Sequence, residues 1–251
     1  MALNLEKPAF YCSYAALQLR VIPVVIGHCT NPPNVGYAQS GLKSGATMAT
    51  AQFINVTGSS GMPITSFSPV GDDTYNHVEI QTLDNAGYTV DSYVWTNEGG
   101  EDYDKTGWVD SDNNIVTNVT FSPGQGLWVF GSSASQGLQT AGKVGTLDIA
   151  VSLRSGATPT GNPFPVSVNI ADILPQGDDT YNHVEIQTLD NAGYTVDSYV
   201  WTNEGGEDYD QTGWVDSDNN IVTTVSFAPG QGLWVYGSSS SQSLLFPAPE
   251  L

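Results

Sequence analysis

The sequence predicts an all-β protein of two tandem antiparallel β-sandwich or barrel-like domains, preceded by an extended N-terminal segment. Three observations carry that prediction. Residues 71–138 return at 177–244, 106 positions later, with seven differences over 68 positions: Lys105/Gln211, Asn118/Thr224, Thr120/Ser226, Ser122/Ala228, Phe130/Tyr236, Ala134/Ser240 and Gly137/Ser243. Inside each copy, short alternating apolar runs recur at roughly 8 to 12 residue spacing between Gly, Pro, Asn and Asp turns, the pattern of a sandwich or barrel. No stretch keeps a 3.6-residue period over the ten or so residues that a helix needs. The chain therefore divides into a leader at 1–34, a first repeat at 35–141 and a second at 142–251.

The leader has no second copy. Its apolar run, Tyr14 to Gly27, is interrupted by Gln18, Arg20 and Pro23, and Val21, Ile22, Val24, Val25 and Ile26 make a β-branched run astride that proline. The interior arginine and the Glu6–Lys7 flank do not suit a secretory signal, so a buried or partner-bound edge strand is the preferred reading. The Asn31-Pro32-Pro33-Asn34 cluster closes the leader. No stretch reaches the roughly 18 uninterrupted apolar residues of a membrane-spanning helix.

Between Val35 and Ser68 lie alternating runs that include Gln52-Phe-Ile-Asn-Val56 and Pro63-Ile-Thr-Ser-Phe67. Leu42-Lys-Ser-Gly-Ala-Thr47 matches Leu153-Arg-Ser-Gly-Ala-Thr158, so the homology extends upstream of the block. From that anchor to Gly-Asp-Asp the first copy has 29 residues (71 less 42) and the second 24 (177 less 153), a change of five that a loop absorbs most simply. Gly161-Asn-Pro-Phe-Pro165 lies in this stretch, and its prolines exclude a central strand.

In the block itself, 77–83 and 88–95 read as a hairpin around Asp84-Asn-Ala-Gly87. Asn97 to Asp104 is an acidic loop, and Gly107-Trp-Val109 a short strand. After the Asp110-Ser-Asp-Asn-Asn114 turn, 115–121 is expected as a strand with Ile115, Thr117, Val119 and Phe121 on one face. Pro123-Gly-Gln-Gly126 is a tight turn with two glycines free for positive φ. In Leu127-Trp-Val-Phe130, Trp128 and Phe130 share one side. A short helical turn is expected near Ile170 to Leu174.

Six Lys and Arg stand against 26 Asp and Glu, a formal net charge of -20. Nucleic acid and anionic membrane surfaces are disfavoured, because each needs clustered cations. Such a balance suits a solvated exterior, a polycation or a divalent cation. Both cysteines, Cys12 and Cys29, lie in the leader, so the repeats use no disulfide.

Asp110, Asp112 and Asn114, repeated as Asp216, Asp218 and Asn220, place oxygens at alternate positions as a calcium loop does. The EF-hand glycine and distal glutamate are missing, and an Asx turn explains the same letters. Gly71-Asp-Asp73 reads as a turn, and His77 and Glu79 share alternate positions, an ordinary cross-strand arrangement. All six tryptophans, Trp95, Trp108, Trp128, Trp201, Trp214 and Trp234, fall in the repeats. They fit either cores or a sugar-stacking platform.

The Ser-Gly-Ala-Thr anchor, Tyr93-Val-Trp95, Gly107-Trp-Val109 and above all Pro123-Gly-Gln-Gly-Leu-Trp-Val129 resemble tandem β-rich repeat domains of uncharacterised secreted or surface proteins of bacteria, over about residues 34 to 245. The resemblance implies an extracellular module with no assigned reaction. Together with the duplication and the unique leader, it leads to the expectation of a non-enzymatic structural or self-assembling protein, a homopolymer joined through the Val21 to Ile26 strand. The alternative is a carbohydrate-binding or adhesion module that uses the tryptophans, with calcium as the one candidate cofactor.

Overall fold

The computed structural model describes residues 35–41, 45–50, 61–84, 88–143, 147–190 and 194–249. The leader, with Cys12, Cys29 and the Val21–Ile26 run, lies outside the described residues, as do Gln52–Val56 and the hairpin tip 85–87.

Among the described residues the first repeat forms ten strands: β1 (Val35–Gly41), β2 (Gly45–Thr50), β3 (Met62–Pro63), β4 (Phe67–Val70), β5 (Glu79–Leu83), β6 (Thr89–Gly99), β7 (Lys105–Val109), β8 (Thr120–Phe121), β9 (Gly126–Gly131) and β10 (Gly137–Lys143). The second repeats them in order: β11 (Ile149–Ser152), β12 (Gly156–Gly161), β13 (Val168–Asn169), β14 (Leu174–Gln176), β15 (Glu185–Leu189), β16 (Thr195–Gly205), β17 (Gln211–Val215), β18 (Ser226–Phe227), β19 (Gly232–Gly237) and β20 (Ser243–Phe246). Each copy builds a five-stranded sheet, β2-β9-β5-β6-β7 or β12-β19-β15-β16-β17. It adds a three-stranded sheet, β1-β10-β4 or β11-β20-β14, and a two-stranded ribbon, β3-β8 or β13-β18. Among the described residues the sheets are antiparallel and none closes into a barrel, so the fold is all-β and of sandwich type.

Side-chain alternation explains the layering. In β9, Leu127 and Val129 point into the sandwich and are fully buried, while Trp128 and Phe130 lie on the outer face. Ile80 of β5, Tyr93 of β6 and Trp108 of β7 join them from the five-stranded sheet; Phe67 of β4 and Leu138 of β10 close over them from the three-stranded sheet. Phe121 meets Phe67 edge-on, with ring centroids 5.5 Å apart. Burying each such side chain contributes about 1.5–3 kcal/mol. The second copy has its own core around Trp214, Phe227, Leu233 and Val235.

The length difference falls where the prolines indicate. Eleven residues, 51–61, join β2 to β3, whereas six, 162–167, join β12 to β13, and the pairings on either side keep register: Gly45 pairs Gly131 as Gly156 pairs Gly237. Asn162 organises the shorter connection. Its amide donates to the carbonyls of Val166 and Phe227, and its oxygen accepts from the Phe164 amide. Prolines keep to outer strands: Pro69 in β4, Pro159 in β12 and Pro175 in β14. β10 runs to Lys143 and β11 begins at Ile149, which puts the join between them.

Three local expectations need correction. The acidic loop expected at Asn97 to Asp104 is shorter: β6 runs on through Asn97 and Glu98 to Gly99, and the turn follows it. Residues 115–121 are not one strand: Ile115 makes a single bridge to Val109, and only Thr120–Phe121 pairs again, with β3. The segment crosses between layers. The Val116 amide donates to the Trp108 carbonyl at the edge of the large sheet, and three residues later the Val119 carbonyl accepts from Ile64. Pro63 to Phe67 is likewise broken by a 3-10 turn at Ile64–Ser66, the counterpart of Ile170–Asp172 in the second copy, where a helical turn was expected.

Candidate functional site

The Asp110 loop forms a closed Asx turn. One oxygen of Asp110 accepts from the backbone amides of Asp112 (3.0 Å) and Asn114 (2.9 Å), and the Asn114 side-chain amide donates to both carboxylate oxygens at 3.2 and 3.3 Å. Asn113 takes φ 62°, a conformation that asparagine tolerates, and its amide reaches back to the carbonyls of Glu98 and Gly100. Asp216, Asp218, Asn219 and Asn220 repeat these bonds. The Asn114 backbone amide, more than any other group, holds Asp110 below the usual carboxylate range, and the Asn220 backbone amide does the same for Asp216. Among the described residues, no three His, Cys, Asp or Glu side chains gather as a metal would require.

His77 does not pair with Glu79. Its Nδ1 lies 3.1 Å from the Asp73 carboxylate, and His183 repeats the contact with Asp179 at 3.0 Å, both on the surface. Asp73 has φ 55° in the turn after Gly71, and this turn folds the carboxylate back onto the histidine four residues on. Glu79 instead faces the outer side of the large sheet.

The tryptophans separate into three kinds. Trp108 and Trp214 are 2% and 1% exposed, so the sugar-platform reading does not hold for them: both ring faces are inside the core. Trp95 and Trp201 pack edge-on against them at 5.4 Å and are part-buried, and Tyr181 stacks on Trp201 with centroids 6.5 Å apart and planes 9° apart. Trp128 and Trp234 are half-buried on the outer faces of β9 and β19.

A polar row beside Trp128 was not visible in the sequence. The register sets Gln81 of β5 opposite Trp128 on one side and Ser92 on the other, and sets Glu79 opposite Phe130 and Val94. One Glu79 oxygen accepts from Ser92 Oγ and from the Gln81 amide, whose oxygen accepts in turn from Thr89. The copy, Glu185 with Ser198 and Gln187 and then Thr195, has distances of 2.6, 2.7 and 2.7 Å. A bulge between Gln81 and Leu83 brings Thr89 into reach. Alternation in 88–95 was the available signal, but the bulge shifts it by one residue.

Gln136 was also missed. Although 2% exposed, it accepts from the amides of Ser132 (2.7 Å) and Ser133 (3.3 Å) and donates to the carbonyls of Asp73 (2.6 Å) and Asp72 (3.3 Å). Gln242 pins the second copy in the same way. The assembly residues Val21, Ile22, Val24, Val25 and Ile26 lie outside the described residues.

Fold and faces together define a tandem all-β protein of two separately cored antiparallel units. Compared with protein families and with curated proteins, the sequence shows no match. No helix among the described residues is long and apolar enough to cross a membrane.

Proposed function

We propose that the chain is a non-enzymatic structural subunit of an extracellular or cell-surface assembly, such as a filament, surface layer or appendage, in which the Val21–Ile26 strand of one molecule completes a sheet of the next. One observation carries the reading: both copies commit their turn-forming polar groups, Asp110, Asn113, Gln136 and their counterparts, to the same internal bonds, as a rigid repeated building block requires. Among the outer strands of the three-stranded sheets, β4 and β14 contain prolines, which remove backbone donors, and β1 and β11 do not. The proline-free edges suit a donated strand.

Light scattering over a concentration series on the full chain and on a chain starting at Val35 tests this. Large assemblies from the full chain and monomers from the shorter one are expected. Monomers from both would refute it.

A second reading, a carbohydrate-binding module, is favoured by one specific feature: part-buried Trp128 and Phe130 beside Gln81 and Glu79, duplicated as Trp234 and Tyr236 beside Gln187 and Glu185. An aromatic face next to ordered hydrogen-bonding groups suits a sugar ring. A glycan array probed with the parent chain and with the Trp128→Ala, Trp234→Ala double variant tests it; glycan binding retained by the variant, or none by the parent, removes this reading.

A further inference from the structure

The four strands β2, β9, β12 and β19 meet where the two repeats touch. β9 of the first unit lies against β12 of the second, and β19 of the second lies against β2 of the first; β2 also approaches β12, and β9 approaches β19. β12 is the counterpart of β2, and β19 that of β9. Exchanging the two units therefore turns the β9–β12 contact into the β19–β2 contact and returns the other two to themselves. A head-to-tail stack would give one of the cross contacts without its mate. Reciprocity of this kind defines an isologous, twofold interface.

We infer that the β2–β9 surface is a self-association patch of the repeat, and that this chain is in effect a twofold dimer of its repeat joined by a short connection.

The approach is close. A Cβ on Gly126 would stand 2.6 Å from the Pro159 carbonyl carbon and 2.9 Å from the Pro159 Cβ; one on Gly124 would stand 2.6 Å from Val151 Cγ2. Thr160, fully buried, donates its hydroxyl to the Gly124 carbonyl. Gly124 needs glycine for its φ of 78° in any case. Gly126 has no such need, since it opens β9 in extended backbone, and contact with Pro159 supplies the reason for it. The second glycine of the first Pro-Gly-Gln-Gly string is thus an interface residue, and the inferred twofold assigns the same place to Gly232 in the second.

The patch selects a second copy of itself. Within this chain each unit already covers the other's patch around Gly126 and Pro159, while Trp128 and Trp234 keep part of their surface, and a closed twofold contact leaves nothing for further units to join. Growth of any larger assembly uses other surfaces. This inference is independent of the proposed assembly role and survives if the chain is monomeric.

Two engineered cysteine pairs distinguish the arrangements, in a background where Cys12 and Cys29 are serine. Gly126→Cys with Pro159→Cys probes the contact itself. Met48→Cys with Gly232→Cys probes its twofold mate, because Met48 precedes Pro159 by 111 positions and Gly232 follows Gly126 by 106. Native disulfides hold Cβ atoms about 3.8 Å apart; a Cβ on Gly126 would lie 2.9 Å from the Pro159 Cβ, so the pair is within bridging reach once the two strands ease apart by about an ångström. Both pairs are expected to close within single chains on mild oxidation, read by gel mobility and by mass. Closure of the first pair alone would establish a head-to-tail contact and overturn the inference, as would closure of neither in variants that keep the parent circular dichroism. Should the variants fail to fold, small-angle scattering of the unmodified chain decides between docked and separated units: two resolved maxima in the distance distribution would overturn the inference.

Discussion

Trp108 Nε1 donates a 2.9 Å hydrogen bond to the carbonyl of Phe67, and 106 positions later Trp214 donates one of the same length to Ile173. The bond runs from the five-stranded to the three-stranded side of each sandwich, so one buried side chain both fills the core and fastens the layers. Phe67 and Ile173 differ in side chain, yet the bond is unchanged because it uses the backbone.

Trp108→Phe is expected to cost roughly 2 to 4 kcal/mol, by loss of buried volume and of the partner of the Phe67 carbonyl. Urea denaturation followed by fluorescence checks this. Because each unit has its own core, the loss is expected in one of two unfolding transitions, and Trp214→Phe in the other.

Gln136→Ala removes a buried amide that holds two turns together, and the Ser132 amide and the carbonyls of Asp72 and Asp73 lose its bonds. A loss of roughly 3 kcal/mol is expected. Hydrogen exchange checks the location: faster exchange at 71–73 and 132–135, with the second copy unchanged.

Two glycines separate backbone strain from collision. Gly71 has φ 104°, and a Cβ there would lie 2.2 Å from the Ser135 carbonyl oxygen; Gly156 has φ 100° with nothing within 4 Å. Gly156→Ala carries the backbone term alone, about 1–3 kcal/mol, and Gly71→Ala adds the clash. Thermal unfolding is expected to rank Gly71→Ala clearly the worse.

Acid stability has a definite sign. Asp110 and Asp216 titrate lower in the folded protein than in the unfolded chain, where an aspartate sits near about 3.9. Their contribution is complete above that value and is lost as pH falls from it through the lowered folded pKa. An Asp110→Asn, Asp216→Asn variant is expected to show a shallower loss of stability below about pH 4 than the parent, measured by denaturant midpoint at each pH.

Local chemistry was legible. Pro123-Gly-Gln forms its turn with Gly124 at φ 78°, the Gln125 amide donating to Ser122, because proline and glycine fix those angles wherever they occur. The Asx turn at Asp110 likewise spans only five residues, Asp110 to Asn114. Partners distant in sequence were not legible. Gln136 meets Asp73 across 63 positions, and nothing in the letters around either points to the other.

The sequence alone determined the duplication, the all-β class, the turns and the five-residue difference between copies, since each follows from identity, alternation or a few adjacent dihedrals. Alternation in β9 announced two faces, one with Leu127 and Val129 and the other with Trp128 and Phe130, both apolar. Which face became core was decided only when β4 and β10 closed over the leucine side, and the same closure buried Trp108 while leaving Trp128 outside. The path of 115–121 between layers and the reciprocal meeting of β9 with β12 and β19 with β2 were also settled in three dimensions, where burial is shared between segments that no sequence window contains together.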